Sequence, residues 1–222
     1  MTHMAGRPSA ASLEIRRLAE VERDRLGHPY LGDEHLLLGV LAHGANPAAV
    51  ILHERGLDLA TARTQVARIV AESGPLARDD AALLREFGVD VARMRRQLES
   101  TFGTLAVHDA ARRVRRRPWW RGRAQHNPLC GPLYLIKRAQ LIACTTAGER
   151  REEEIRAEHL LYGVLRVARD PLGCGLGRRG RRDAARLGLR VGAAHPVWLL
   201  LTGQGIDPDR LGEDLLASLT AT

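Results

Sequence analysis

The sequence predicts an all-α protein, and three observations carry that reading. Helix-favouring Ala, Leu, Arg and Glu dominate, while aromatic residues make up only 4% of the 222 positions. Apolar residues recur at spacings of three and four along most of the chain. Glu34-His35-Leu36-Leu37-Leu38-Gly39-Val40-Leu41 returns as Glu158-His159-Leu160-Leu161-Tyr162-Gly163-Val164-Leu165, a single substitution in eight positions, so the chain contains an internal repeat. With 45% hydrophobic and 27% charged residues, it has material for one core or two small ones.

Residues 1–11 read as a disordered start. Leu13, Leu18, Val21 and Leu26 then form the apolar stripe of a first helix, which stops at Gly27. A loop with Gly27, Pro29 and Gly32 leads to Asp33, placed to cap the next helix, with Leu31 and Leu37 positioned as a hydrophobic staple. Leu36, Leu37, Val40 and Leu41 give that helix its buried face, and Gly39 leaves room for a neighbouring helix. Gly44 to Pro47 makes a turn into a third helix, closed by Gly56. In Gly56-Leu57-Asp58 a glycine suited to the left-handed conformation ends one helix and an aspartate caps the next. The fourth helix runs from Leu59 to Glu72, completing a four-helix unit over 12–73.

The glycine–apolar–aspartate phrase recurs as Gly88-Val89-Asp90 and as Gly205-Ile206-Asp207, the latter followed by Pro208 at a first helical position. Residues 80–104 therefore read as an extra helical hairpin. Residues 105–132, dense in arginine, proline and glycine, read as a linker. A second four-helix unit spans 133–219. Gly56 lies 22 residues after Glu34 but Gly205 lies 47 after Glu158, so repeat two carries an insertion, expected to be extended or mobile, at about 171–194.

The formal charge is +8, and Lys137 is the only lysine among 34 basic residues. Thirteen of the arginines fall in 105–132 and 171–194, and outside these two segments acids slightly outnumber bases. Arg115, Arg116 and Arg117 with Trp119 and Trp120 form a candidate contact for nucleic acid or for an acidic protein surface. The plainer reading is a solvated linker whose tryptophans cover repeat contacts. Cys130, Cys144 and Cys174 are odd in number and lack a C-x-x-C pair, so neither a disulfide framework nor a zinc ribbon is indicated. No apolar run approaches membrane-spanning length and no signal peptide is visible, which gives a cytoplasmic expectation without membrane contact.

The phrase Gly27-His28-Pro29-Tyr30-Leu31-Gly32-Asp33-Glu34-His35-Leu36-Leu37-Leu38-Gly39-Val40-Leu41 resembles the signature of the Clp N-terminal domain (Clp repeat or Clp R domain) of bacterial Clp unfoldases. That resemblance is near-complete in repeat one and keeps only the latter half of the signature in repeat two. It implies two helical repeats in one module, which binds substrates or adaptors for a Clp unfoldase–protease without being an enzyme. It also implies that Glu34 and Glu158 hold the guanidinium of phosphoarginine-marked proteins, together with a hydroxyl 25 residues earlier. That position is Ser9 in repeat one but Leu133 in repeat two, which also has Ala157 at the expected cap and Arg151-Glu152 in place of Gly-His.

Bottom-up, a carboxylate in a first helical turn can pair bidentately with a guanidinium, or merely complement the helix dipole. His35 and His159 read as packed histidines bonded to neighbouring backbone, and His28, His35, His43 and His53 lack metal-ligand spacing, so neither metal nor cofactor is expected. The chain has no G-x-x-x-x-G-K-[ST], which gives the expectation of a stand-alone module without the ATPase engine, and no G-x-S-x-G of a hydrolase. The function expected is adaptor or decoy. The alternatives are a nucleic-acid-binding regulator using the arginine linker, or, as the resemblance to the Clp family implies, a binder of small cyclic peptides in an apolar groove between the repeats.

Overall fold

The computed structural model describes residues 6–28, 30–73, 91–107, 132–186 and 189–220. Two compact units are formed, one from Met1–Gly74 with Leu129–Thr222 and the other from Pro75–Pro128. The chain is all-α, as its sequence indicates.

In the first unit, Ser9 caps α1 (Ala10–Leu26) by accepting the Ser12 N–H at 3.1 Å, and Gly27 ends it in the left-handed conformation at φ 70°. The helix thus begins before Ser12. Arg7–Pro8, expected to be disordered, forms β1, which pairs in parallel with β2 (Glu154–Ile155). A two-residue bridge to a partner far along the chain leaves no local pattern to read.

Helix α2 (Asp33–His43) carries the signature. Asn46 caps α3 (Pro47–Glu54) by accepting the Ala49 N–H at 2.9 Å, and its amide ties back to the Val40 carbonyl at 2.9 Å. Gly56 takes φ 79° and Asp58 accepts the Thr61 N–H at 2.7 Å at the start of α4 (Leu59–Ser73), as the Gly-Leu-Asp phrase requires. In the second unit α5 (Val91–Phe102) falls within the stretch expected to form a hairpin; residues 74–90 and 108–131, including the Gly88 phrase and most of the arginine linker, lie outside the described residues.

Repeat two comprises α6 (Pro132–Glu149), α7 (Ala157–Ala168), α9 (Pro196–Gly203) and α10 (Pro208–Thr220), the counterparts of α1 to α4. Between them, Arg178–Arg186 forms α8 within the insertion, and Leu172 and Ala184 are buried. The segment expected to be extended or mobile thus contains a short helix among its described residues.

The two signature helices occupy the centre. α1 packs on α2 and α6 on α7, α2 and α7 touch each other, and α4 meets α9 across the repeats, giving one continuous apolar core. The close crossings depend on glycine. A Cβ on Gly39 would lie 2.9 Å from Ala19 N and nearer still to the Ile15 carbonyl; one on Gly163 would lie 3.0 Å from Ala139 C. Among the described residues no single helix is long and apolar enough to cross a membrane.

Candidate functional site

Both copies of the signature begin their helix in the same way. The Gly32 N–H donates to His35 Nδ1 at 2.9 Å, and the Arg156 N–H donates to His159 Nδ1 at 3.1 Å. Each ring, three residues into the sequence from the cap, satisfies one of the backbone donors that a helix start leaves open. Gly32 and Arg156 are the cap residues, so Asp33 and Ala157 stand at the first helical position instead of capping.

The hydrogen bond to Nδ1 fixes the tautomer. A neutral His35 then carries its proton on Nε2 and donates it to His28 Nδ1, 2.9 Å away. Tyr30 stacks on His28 with ring centroids 5.8 Å apart. Burial holds His35 well below the usual imidazole range, assisted by His28, on which a second proton would be repelled, and by the Arg23 cation, and burial brings His28 down to about 4. Both rings are neutral at pH 7. His28, Glu34 and His35 offer donor atoms within 4.8 Å of one another, the spacing of a metal cluster. Yet the proton sits on the His35 nitrogen that a metal would need, held there by the Gly32 N–H, so these residues do not fit a resident metal.

Asp33 is fully buried and its Oδ2 lies 3.3 Å from His195 Nε2, a residue 162 positions later. His195 is the cap of α9, where its Nδ1 accepts the Val197 N–H at 3.3 Å, leaving Nε2–H to face Asp33. This pair joins repeat one to repeat two. Burial raises the Asp33 carboxyl above the ordinary range, with the hydrogen bond to His195 opposing it.

Glu34 is also fully buried. Neither of its oxygens meets a hydrogen-bond partner at full geometry, although the Tyr30 hydroxyl is close enough to act on the carboxylate as a donor. Burial pushes its carboxyl up, and the neighbouring Asp33 adds to the rise. Glu158 is buried too, at 3% exposure, but its oxygens are not among the unpartnered buried atoms. Near it, His159 Nε2 lies 3.5 Å from Glu152 Oε1, an ion-pair approach, and Arg156 reaches Glu152 at 2.7 Å. This turn borders a surface cavity of about 510 Å³ lined in part by Arg150, Glu152, Glu154 and Arg156.

Ser9 is bonded elsewhere than to Glu34. Its N–H donates to the Ile155 carbonyl at 3.2 Å, and its hydroxyl bonds Ser12, whose own hydroxyl also reaches the Ile155 carbonyl. The structure thus ties Ser9 to the segment leading into Glu158. Arg115, Arg116, Arg117, Trp119 and Trp120 lie outside the described residues, as does the Leu133 side chain.

Sequence reasoning missed His195 as a partner of Asp33. The signal was present: His195-Pro196 stands where Asn46-Pro47 stands when the third helices are aligned on Gly56 and Gly205.

No family model matches the chain. A 59-residue stretch is 48% identical to the chaperone protein ClpC, chloroplastic, of Pisum sativum, covering 27% of this chain and 6% of that protein. A stretch of 57 residues is 44% identical to a probable ATP-dependent Clp protease ATP-binding subunit of Chlamydia pneumoniae, covering 26% of this chain and 7% of that protein. Among solved structures, the N-terminal domain of the caseinolytic protease associated chaperone ClpD from Arabidopsis thaliana covers 99% of this chain and 97% of its own, with a TM-score of 0.50 at 15% identity. The chain carries a Clp N-terminal domain fold. On this fold the two signature turns are the doubled feature, each at the start of a buried helix. The chain matches less than a tenth of the length of these two curated relatives.

Proposed function

We propose that this chain is a non-enzymatic polypeptide-binding module that recognises substrates or adaptors of a Clp unfoldase–protease, acting as an adaptor or as a decoy. The observation that carries the reading is the repeated signature turn, with the same histidine-to-backbone lock, on a Clp N-terminal domain fold. In this reading Glu34 receives the guanidinium of a phosphoarginine-marked protein, since an ionised carboxylate pairs bidentately with that planar fork. Glu158 is the second acceptor, with Ser9 serving it through the Ile155 edge.

The test is degradation of a phosphoarginine-marked substrate by the host's Clp unfoldase–protease, with and without the full chain. Faster degradation marks an adaptor and slower degradation a decoy, and Glu34→Gln abolishes either effect. An unchanged rate at saturating chain, with no complex detected, contradicts the reading.

A further inference from the structure

Three carboxyl oxygens at the start of α2, Asp33 Oδ1 and both of Glu34, are buried without hydrogen-bond partners, and the Tyr30 hydroxyl is unpartnered beside them. A neutral buried group in that state costs ~1–3 kcal/mol, and an ionised one far more. Glu34 Oε1 lies 3.4 Å from His35 Nδ1, whose lone pair already accepts the Gly32 N–H, so a negative oxygen there faces another acceptor. The arrangement suits a neutral carboxylic acid.

Gly32 makes this placement sterically available. A Cβ there would lie 2.7 Å from Glu34 Cδ and closer still to both oxygens. The Gly32 backbone, at φ −106° and ψ 177°, is extended and open to any residue. What glycine supplies is therefore space for the folded-back carboxyl. Repeat two has Arg156 at the same place, and no buried unpartnered oxygens on Glu158.

We infer that the structure shows the shut state of the guanidinium site, in which Gly32 lets a protonated Glu34 carboxyl fold back, and that ligand entry requires this carboxyl to swing out and release its proton to solvent. The ligand in this inference rests on the function proposed above; the shut carboxyl does not. His28 and Tyr30 face the site from the preceding loop, Asp33 and His35 from α2, and His195 from the cap of α9, while Arg138 of α6 acts on Asp33. Of these, His195 favours the ionised acid, as do the backbone N–H of Glu34 itself and the Tyr30 hydroxyl, while Asp33 opposes it, and burial outweighs them all. Guanidinium binding then releases one proton, so affinity falls as the solution is acidified.

The test compares wild type with Gly32→Ala. An added methyl meets the far end of a flexible side chain, which moves out more readily than backbone would. Carbon-13 NMR follows the Glu34 carboxyl titration, and calorimetry in two buffers of different ionisation enthalpy measures protons released on binding a phosphoarginine-containing peptide. Glu34 of the wild type is expected to titrate above the ordinary carboxylate range and to return to it in Gly32→Ala. The variant binds the peptide severalfold more tightly at pH 6, with no proton release. Glu34→Gln, which has no carboxyl to titrate at this position, removes the raised titration from the carbon-13 spectrum and so assigns it to Glu34 whatever happens to Gly32→Ala. An ordinary titration in wild type, or the same titration in both proteins, overturns the inference. The expected titrations with no peptide binding to either protein overturn the guanidinium reading and leave the shut carboxyl standing.

Discussion

In repeat one the signature histidine meets a second histidine, His28, at 2.9 Å; in repeat two the same position holds Glu152, which approaches His159 at 3.5 Å and is bridged by Arg156. The turn before it differs in the same manner. Gly27 and Arg151 both end the first helix in the left-handed region, at φ 70° and 59°, yet only one is glycine. Farther in, buried Glu22 takes a bidentate pair from Arg63 at 2.6 Å, whereas the corresponding positions in repeat two are Thr146 and Gly212. What the repeats share are the helix-crossing glycines and the histidine lock. These hold the frame, while the side chains around each glutamate are free to differ in charge.

The shared frame gives the largest expected effect. Gly39→Ala and Gly163→Ala should each cost ~3 kcal/mol or more, since the new methyl meets neighbouring backbone that cannot rotate away. Gly148→Ala, whose added methyl meets nothing within 4 Å, is the control. Urea unfolding that finds all three alike would break the shared-frame account.

Next comes the ion pair that only repeat one has. Arg63→Met strands Glu22, which is 2% exposed, and should cost ~3 kcal/mol. Replacing both with apolar residues should recover part of that loss. A double variant no better than the single one contradicts the pairing.

The histidine pair adds a pH dependence of defined sign. His28 has its pKa lowered to about 4, so its contribution is complete above pH 6.5 and is lost as the pH falls from there toward 4, up to ~3 kcal/mol. The raised carboxyls of Asp33 and Glu34 work the other way, contributing in acid and losing that contribution as pH rises above the ordinary carboxylate range. His28→Phe should flatten the stability profile between pH 6.5 and 4. An unchanged slope by thermal unfolding would remove His28 from this role.

The smallest effect compares the two left-handed caps. Arg151→Gly should stabilise by about 1 kcal/mol, and Gly27→Ala should destabilise by a similar amount. Equal and negligible changes would contradict the strain assigned to Arg151.

The elements governed by neighbours in sequence were readable from it. Gly56-Leu57-Asp58 and Gly205-Ile206-Asp207 announce helix boundaries because turn geometry and capping act within three residues, and both form as read. Gly39 marks a close crossing because its helix is otherwise largely apolar, and Gly163, its repeat-two counterpart, makes the same approach in the structure. Asp33 was misread as a cap because the group that claims its carboxylate, His195, arrives from repeat two. The Arg7–Pro8 strand escaped for the same reason, its partner being Glu154–Ile155. At the candidate site the packed role of His35 was legible, but the burial of Glu34 against Gly32 is a property of the folded loop.

The most direct test of a two-repeat module with unequal sites is calorimetric titration of the full chain with a phosphoarginine-containing peptide, alongside Glu34→Gln and Glu158→Gln. The account expects saturable binding dominated by Glu34, lost in Glu34→Gln and weakened less in Glu158→Gln. Absence of binding to the wild type, or equal affinity in all three proteins, would contradict it.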